Sequence, residues 1–353
     1  MQNESLESSF LSLFALITFF IFLIINKYSH KIKNGILFDQ DFLKPQAFHQ
    51  SPVSRSGGIA GVISINIFLV FYYLIYSKIL FEYFFICNLM FLIGFLDDLK
   101  IQINPSRRLI LMIIFLLICI SFLPVEILNV DIPILNTLLN NKIFSSLFVL
   151  LCFLFIINGA NLIDGFNGLL AINLIIINSI LAYINLADGI NEFSVVIICQ
   201  IIVLFSFLLF NFPSAKLFLG DSGSYLLGSI VALNVITTNN INPDYSSFFF
   251  CTLLFYLFFE VFFSFFRKII QKKSPIHPDN KHLHMLIFEK VSFIFGKDKG
   301  NYINSMIINL GYLSFVLPAF VFAKDPLISR YWFFCLMVIY LVIYLRLYRL
   351  TKN

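Results

Sequence analysis

The feature that most constrains this chain is a series of long apolar runs with almost no charged residues. Phenylalanine accounts for 46 of the 353 residues, and only 12% are Asp, Glu, Lys or Arg. A helix of about 20 apolar residues crosses the hydrocarbon core of a bilayer. We therefore predict an all-α, polytopic integral membrane protein, folded as a single domain over residues 1–353. About eleven transmembrane helices are expected, at residues 8–26, 57–77, 79–96, 109–125, 143–163, 168–187, 193–212, 225–238, 246–266, 302–323 and 331–345.

Two of these runs are weaker than the rest. The run at 79–96 contains Glu82, and the run at 225–238 is short. Before the first run stand Glu4 and Glu7 and no basic residue, so we expect a retained helix and not a cleaved signal peptide. The six cysteines lie inside apolar runs without metal-ligand spacing, so we expect neither disulfides nor a zinc site.

Basic residues divide unevenly between the two sides that alternate loops define. Twenty Lys and Arg residues fall on one side and four on the other. Cytoplasmic loops carry the excess of Lys and Arg. This side is therefore predicted to be cytoplasmic, with the N-terminus outside, the C-terminus inside and the protein in the inner (plasma) membrane. Its polar loops are expected to form the functional site: 27–56, 97–108, 164–168, 213–224 and 267–301.

A polar segment with the sequence NGANLIDGFNGL, residues 158–169, separates two apolar runs. Its amides and its carboxylate recur at steps of three, and residues so spaced share one face of a helix. A charged residue at the centre of a membrane helix costs roughly 2.5–3.5 kcal/mol, which favours a ligand-binding stripe. The alternative is a loop turned by Gly165 and Gly168. The recurring residues are Asn158, Asn161, Asp164 and Asn167.

Two further acidic motifs lie at predicted membrane boundaries. Asp97 and Asp98 end the third run, and neighbours on a helix diverge by about 100°, so one carboxylate is expected to bind a cation and the other to act as a base. The alternative is a pair of solvated acids. In FLGDSGSYLLG, Asp221 lies among Gly and Ser before an apolar helix, where backbone N–H groups would hold a phosphate and Asp221 an Mg²⁺. The alternative is an ordinary N-cap.

Several basic residues are candidate anion contacts. Arg55 stands beside two glycines at the start of the second run, and a positive-inside anchor is its alternative. Residues 283–295 are expected to form an interfacial helix, and Glu260, inside the ninth run, is interpreted as structural. The loop SPIHPDNKHLHM has three imidazoles that suit phosphate or nucleotide contact better than zinc. These are His277, His282 and His284.

Taken in order, these motifs resemble the polyprenyl-phosphate N-acetylhexosamine-1-phosphate transferase family over about residues 50–290. The family usually has a further histidine where this chain has Met285, which leaves the two imidazoles before it. The matching elements are Pro52 with Arg55-Ser-Gly-Gly, the pair Asp97-Asp98, N-x-x-N-x-x-D-G-x-x-G-L from Asn158, G-D-x-G-S from Gly220, and P-D-x-x-H-x-H from Pro278.

The resemblance implies an enzyme that joins a UDP-sugar and a polyprenyl phosphate at the cytoplasmic membrane face with Mg²⁺ or Mn²⁺, releases UMP and has no nucleic-acid partner. Such chemistry needs a divalent cation and basic groups to offset charge. Asp221 with Asp98 is then expected to hold the metal, and Asp97 to act as the base or to orient the lipid phosphate. Asp164 is expected to be catalytic beside the nucleotide or diphosphate. The expected substrate contacts are Asn158, Asn161, Arg55, Lys100, Arg107, Arg108, His282 and His284.

Three alternatives are less well matched. Muramoyl-pentapeptide transferases are recognised by consecutive histidines in the last loop, which this chain lacks. Aromatic-acceptor prenyltransferases have a further carboxylate three or four residues after the first acids, where this chain has Ile101 and Gln102. A transporter places ionisable residues near the bilayer midplane, and only Glu260 lies well inside a predicted span.

Overall fold

The computed structural model describes residues 2–29, 31, 36–39, 52–101, 103–275 and 279–350. Within them the apolar runs form helices, because a backbone without water must bond its own N–H and C=O groups. The helices are α1 (Gln2–Tyr28), α2 (Gly57–Tyr76), α3 (Phe81–Asp98), α4 (Pro105–Phe122), α5 (Pro133–Leu139), α6 (Lys142–Ile163), α7 (Leu169–Ala187), α8 (Asn191–Asn211), α9 (Gly220–Ile241), α10 (Ser247–Leu253), α11 (Phe255–Ile270), α12 (Leu283–Phe295), α13 (Lys297–Val321) and α14 (Pro326–Leu350). Strands β1 (Phe38–Asp39) and β2 (Val53–Ser54) pair antiparallel.

Each of the eleven predicted runs contains a helix, and the all-α membrane class is confirmed. Among the described residues, eight helices are long and apolar enough to cross a membrane, or nine if the bent pair α10 and α11 is one span. The helices of the two weaker runs, α3 and α9, are not among the eight. The count of eleven crossings and the side of each terminus therefore stay predictions.

Helix α9 lies at the centre of the bundle, where it packs against α2, α3, α6 and α7. Sixteen of its 22 residues are buried. Because protein and not lipid surrounds it, α9 retains polar side chains that bond to neighbouring helices. Asn234 accepts a hydrogen bond from the Tyr83 hydroxyl at 2.7 Å and donates one to Asn178 at 2.9 Å. This protein environment explains why α9 is a weak hydropathy signal and yet a core element.

Glycines let the backbones of α2 and α3 approach the first turn of α9. A Cβ added at Gly94 of α3 would lie 2.4 Å from the carbonyl oxygen of Asp221. One added at Gly58 of α2 would lie 2.5 Å from the backbone nitrogen of Gly223. The glycines after Arg55 thus lie against the backbone just before α9 and in its first turn. The acidic ends of these helices are thereby brought together.

The predicted span at 246–266 is wrong as a single helix, because α10 and α11 meet at an angle of 76°. No proline or glycine lies in this run. At the break, the Leu253 carbonyl accepts a hydrogen bond from the Tyr312 hydroxyl of α13. A Cβ added at Gly159 of α6 would lie 2.2 Å from the Leu257 carbonyl oxygen, so α6 and α11 pack closely there. The bend therefore depends on partners from other helices.

Candidate active site

The carboxylate of Asp98 caps the first turn of α9. Its Oδ1 accepts the backbone N–H of Asp221 at 3.0 Å, and its Oδ2 accepts that of Ser222 at 2.9 Å. Gly220 has a φ of +73°, and a Cβ there would lie 2.5 Å from Asp98 Oδ2. These contacts satisfy N–H groups that a helix start leaves unpaired. Asp98, expected as a metal ligand, is buried and holds α3 against α9, and two amides expected to hold a phosphate are occupied by it.

Asp97 and Asp221 face each other across the guanidinium of Arg108. Nη1 of Arg108 donates to Asp97 Oδ2 at 2.9 Å and to Asp221 Oδ2 at 2.6 Å. The three residues come from α3, α9 and the first turn of α4. The two adjacent acids therefore have different surroundings, as their divergence on the helix predicts. The acid that shares a partner with Asp221 is Asp97, however, and not Asp98.

The polar segment 158–169 is part helix and part turn. Helix α6 ends at Ile163, and the chain turns before α7 begins at Leu169, with Gly168 at a φ of +78°. The single helical stripe is therefore wrong beyond Asn161. That residue donates from Nδ2 to Asp221 Oδ1 and to Ser224 Oγ, both at 3.0 Å. It thus links the end of α6 to the acidic pair.

The other members of this segment have different surroundings. Asn158 donates to the Leu154 carbonyl of its own helix, at 2.7 Å. Asn167 is held by the Pro213 carbonyl. The Asp164 carboxylate makes no hydrogen bond or ion pair to any described residue, so it is available to a ligand. Burial, and then the negative charge of Asp221, raise the pKa of Asp164 well above its usual range.

Arg55 completes the cluster of charges. Strand β2 and the residues before α9 are joined by the hydrogen bond from Phe218 N–H to the Ser54 carbonyl, at 2.8 Å. This contact holds Arg55 near α9, where its Nη1 lies 3.9 Å from Asp98 Oδ1. The pairing of β1 with β2 brings Arg55 to Asp39, which accepts from its Nε at 3.1 Å. The acidic groups of this cluster outnumber its basic groups, and the excess of acidic groups favours a cation. The four acids are Asp39, Asp97, Asp98 and Asp221, and the two arginines are Arg55 and Arg108.

Two of the expected anion contacts lie at the surface. Lys100 follows α3 with a φ of +55° and is exposed, and its Nζ lies 3.4 Å from the Phe38 carbonyl. Arg107 is exposed and forms no ion pair within the described part of the chain. Lys100 thus makes one long hydrogen bond from an exposed side chain, and the exposed Arg107 side chain can meet an approaching anion.

The imidazole of His282 lies in a buried network centred on Glu260. Oε1 of Glu260 is 3.0 Å from His282 Nδ1 and accepts the Leu283 N–H at 3.1 Å. Its Oε2 accepts from the Tyr340 hydroxyl at 2.6 Å. On the other side of the ring, His282 Nε2 is 3.3 Å from Asp279 Oδ1. Glu260 is thus an anchor for the last loop, as its structural interpretation suggested.

His284 is buried beside His282, with ring centroids 5.5 Å apart. Its Nδ1 lies 3.2 Å from the Tyr256 hydroxyl, and its Nε2 has no partner among the described residues. Burial lowers the pKa of His284 to about 3, so the ring is neutral near pH 7. Its expected anion contact would then be a neutral hydrogen bond. His277 and Pro278 lie outside the described residues.

Sequence reasoning missed two acids that position basic residues here. Asp39 binds Arg55, and Asp279 accepts from Arg267 at 2.8 Å. Burial opposes the charge on Asp279, but the hydrogen bonds from Arg267 and the positive charges of Arg267 and Lys268 together hold its pKa below the usual value. Nothing near Asp39 in the sequence marks it as a partner of Arg55. Asp279 is the aspartate of the P-D-x-x-H-x-H motif, and that motif could have marked it as a site residue.

Comparison with known proteins identifies the class of this chain. Residues 80–239, which include Asp97, Asp98, Arg108 and Asp221, match glycosyl transferase family 4. One relative, the undecaprenyl-phosphate alpha-N-acetylglucosaminyl 1-phosphate transferase of Thermotoga maritima, is 30% identical over 260 residues, 71% of this chain and 76% of the relative. The phospho-N-acetylmuramoyl-pentapeptide-transferase of Dictyoglomus thermophilum is 29% identical over 285 residues, 74% of this chain and 86% of the relative.

A third relative is the phospho-N-acetylmuramoyl-pentapeptide-transferase of Streptococcus uberis, 38% identical over 150 residues, 40% of this chain and 44% of the relative. The helical membrane fold and the acidic site thus define a membrane-bound sugar-1-phosphate transferase. The chain belongs to glycosyl transferase family 4, within the polyprenyl-phosphate hexosamine-1-phosphate transferases.

Proposed function

We propose that this enzyme transfers N-acetylhexosamine-1-phosphate from a UDP-sugar to polyprenyl phosphate at the cytoplasmic face of the membrane. The observation that carries the proposal is the pairing of Asp97 and Asp221 across one guanidinium, where α3, α4 and α9 meet. It is supported by relatives named for transfer of an N-acetylglucosaminyl 1-phosphate and of a phospho-N-acetylmuramoyl-pentapeptide. The product would start the assembly of a cell-envelope glycan.

The acidic pair fits a hard divalent cation such as Mg²⁺ or Mn²⁺. No group of three or more His, Cys, Asp or Glu is arranged to hold a metal in the residues that the structure describes. Mg²⁺ usually takes one or two carboxylates and completes its octahedron with water and substrate phosphates. Asp97 and Asp221 would supply those two carboxylates, and the bound ion would neutralise phosphate charge. We assign the second metal-holding role to Asp97 because both oxygens of Asp98 accept backbone N–H groups.

The remaining residues would bind and orient the two substrates. Asn161 fixes the rotamer of Asp221 through its amide, so the acid is preorganised. Asp164 has no partner among the described residues and borders the same cluster, so it would contact the nucleotide or the diphosphate. Arg55, Lys100 and Arg107 would attract and hold phosphate oxygens. Asp98 would act as a positioning residue that keeps α3 on α9.

The overall reaction exchanges one phosphoanhydride bond for another. An oxygen of polyprenyl phosphate becomes bonded to the β-phosphorus of the UDP-sugar. The bond from that phosphorus to the oxygen bridging to the α-phosphate breaks, and UMP leaves with its electron pair. A phosphate monoester has a second pKa of about 6, so the lipid phosphate is already largely ionised near pH 7. Orientation of that group is therefore a larger task for the site than its deprotonation.

The orientation of the chain can be tested with introduced cysteines in a background that lacks the native ones. Asp298, in the first turn of α13, and Asp244, after α9, are both exposed, and the charge distribution assigns them to opposite sides. A membrane-impermeant thiol reagent added to intact cells is expected to label Asp244→Cys and not Asp298→Cys. Permeabilised cells, in which both should react, are the control. Labelling at position 298 in intact cells would reverse the topology and remove the site from the cytoplasm.

The donor can be tested with a panel of UDP-sugars. Purified protein, polyprenyl phosphate and Mg²⁺ are expected to release UMP from a UDP-N-acetylhexosamine at least ten times faster than from other donors. The motivation is the loop with His282 and His284 separated by Leu283. Reactions without polyprenyl phosphate are the control for simple hydrolysis.

A second candidate is transfer of phospho-N-acetylmuramoyl-pentapeptide. It is favoured by the relative from Dictyoglomus thermophilum, which aligns over 74% of this chain. The same panel separates the two candidates when it includes UDP-N-acetylmuramoyl-pentapeptide. UMP release from that donor and from none of the UDP-N-acetylhexosamines would refute the first candidate and establish the second.

A further inference from the structure

We propose that Arg108 and the divalent cation compete for the same two carboxylate oxygens, so that metal binding releases Arg108 to hold a substrate phosphate. The inference rests on the proposed function, because it assumes a metal-dependent transfer at this site. It assigns Arg108 a coupling role that goes beyond the simple anion contact expected from its position after the acidic pair.

The first support is the geometry of the bridge. A single nitrogen, Nη1 of Arg108, lies 2.9 Å from Asp97 Oδ2 and 2.6 Å from Asp221 Oδ2. One positive group is thus shared by two acids that come from different helices. The other oxygen of Asp221 is taken by the Asn161 amide at 3.0 Å. A cation that bridges Asp97 Oδ2 and Asp221 Oδ2, the two oxygens that share this nitrogen, therefore meets the arginine at both.

The second support is the strength of what the cation must displace. The Arg108 side chain is 19% exposed, and its guanidinium lies 5.7 Å from the centre of the buried Tyr225 ring. Half-buried, charge-assisted hydrogen bonds are stronger than neutral ones, and each is equivalent to about a tenfold to a hundredfold change in a binding constant. The arginine consequently lowers the apparent affinity of the acidic pair for the metal.

The third support is that a displaced Arg108 side chain can bind a substrate phosphate. A guanidinium is always charged and presents five N–H donors that match the oxygens of a phosphate. Arg108 begins within the acidic cluster, on the first turn of α4, so a released side chain stays next to the phosphates that the metal brings. Arg108 would thus be withheld from anions until the metal is bound, which couples the two binding events.

Binding of Mn²⁺ alone tests the competition without any substrate. Free Mn²⁺ is measured by electron paramagnetic resonance during titration of the purified, full-length enzyme. Arg108→Gln is expected to lower the Kd for Mn²⁺ by about tenfold or more and also to lower kcat/KM of the transfer. A residue that only contacts anions or only stabilises the fold would not tighten metal binding when it is removed.

Arg107→Gln is the matched control. It removes the same charge from the adjacent residue, which is exposed and pairs with no acid in the described chain. Its Kd for Mn²⁺ is expected to stay within about twofold of the unaltered enzyme, because exposed charges are screened. Unchanged or weaker Mn²⁺ binding in Arg108→Gln would overturn the proposal, and so would equal tightening in both variants. If Arg108→Gln does not fold, Arg108→Met, which keeps packing on Tyr225, decides by the same titration.

Chemical modification of arginines in the unaltered enzyme tests independently whether Mn²⁺ releases Arg108. Phenylglyoxal modifies accessible guanidinium groups, and mass spectrometry reports the modified fraction at each arginine. Added Mn²⁺ is expected to increase modification of Arg108 several-fold and to leave that of Arg107 unchanged. Protection of Arg108 by Mn²⁺ would overturn the proposal. Because neither measurement contains sugar nucleotide or lipid, tighter Mn²⁺ binding in Arg108→Gln would stand even if the donor panel released no UMP.

Discussion

Asp221→Asn is expected to lower the rate of transfer by at least about 10²–10³-fold at a fixed Mg²⁺ concentration, the loss typical of removing one preorganised group that stabilises developing charge. The substitution preserves the shape of the side chain but removes a negative charge from the pair that would hold the cation. Residual activity is therefore expected to require much more Mg²⁺. The measurement is the initial rate against Mg²⁺ concentration at saturating polyprenyl phosphate.

The same measurement on Asp97 and Asp98 distinguishes an acid that holds the metal from one that holds the helices together. Asp97→Asn is expected to shift the Mg²⁺ requirement in the same direction, because Asp97 shares Arg108 with Asp221. Asp98→Asn is expected to leave the Mg²⁺ requirement nearly unchanged and to lower thermal stability, because an amide cannot accept both N–H groups at the start of α9.

The controls for the acidic residues follow from the same geometry. Asp244→Asn removes an exposed acid from a loop assigned to the other side and should leave the Mg²⁺ dependence unaltered. A large shift in metal requirement for Asp98→Asn and none for Asp97→Asn would restore the assignment expected from the sequence. Wild-type rate and metal response in Asp221→Asn would show that the site lies elsewhere.

Gly94→Ala is expected to destabilise the protein by at least about 1–3 kcal/mol, the range for overpacking, and to reduce transfer about a hundredfold, as a misplacement of 1 Å does. The added Cβ would lie 2.4 Å from the backbone of Asp221, which cannot rotate away as a side chain would. Helix α3 must then separate from α9, and the Asp98 cap would break with it. Thermal unfolding and kcat measure the two effects.

Gly311→Ala is the matched control for this prediction. Gly311 also lies inside a helix, α13, but a Cβ there would meet nothing within 4 Å. Alanine favours a helix interior over glycine by about 0.5–1 kcal/mol, so this variant should be as stable as the unaltered enzyme or slightly more stable. If Gly94→Ala behaved like Gly311→Ala, the close contact of α3 with α9 would be refuted as the basis of the site.

Much of the helical layout was predictable because its causes are local. The predicted run at 143–163 matches α6 at Lys142–Ile163, and the interfacial helix predicted at 283–295 has the bounds of α12. In both cases the hydrophobic run and the polar residues that end it lie in one stretch of chain. The turn at Gly168 was likewise indicated by its own sequence, although it was weighed as the alternative.

The roles of the acids and the bend at α11 were decided by the tertiary structure. A divergence of about 100° between Asp97 and Asp98 predicts different surroundings, but which acid meets α9 depends on how α3 docks. That docking depends on Gly94, whose missing side chain leaves no pattern in the sequence. The break beside Leu253 has a partner on α13, and Arg108 has partners on two other helices. By itself the sequence determined which segments become helices and which motifs they carry, since both depend on neighbouring residues; only the packed structure decided which oxygen each charge meets, because those contacts join residues far apart in the chain.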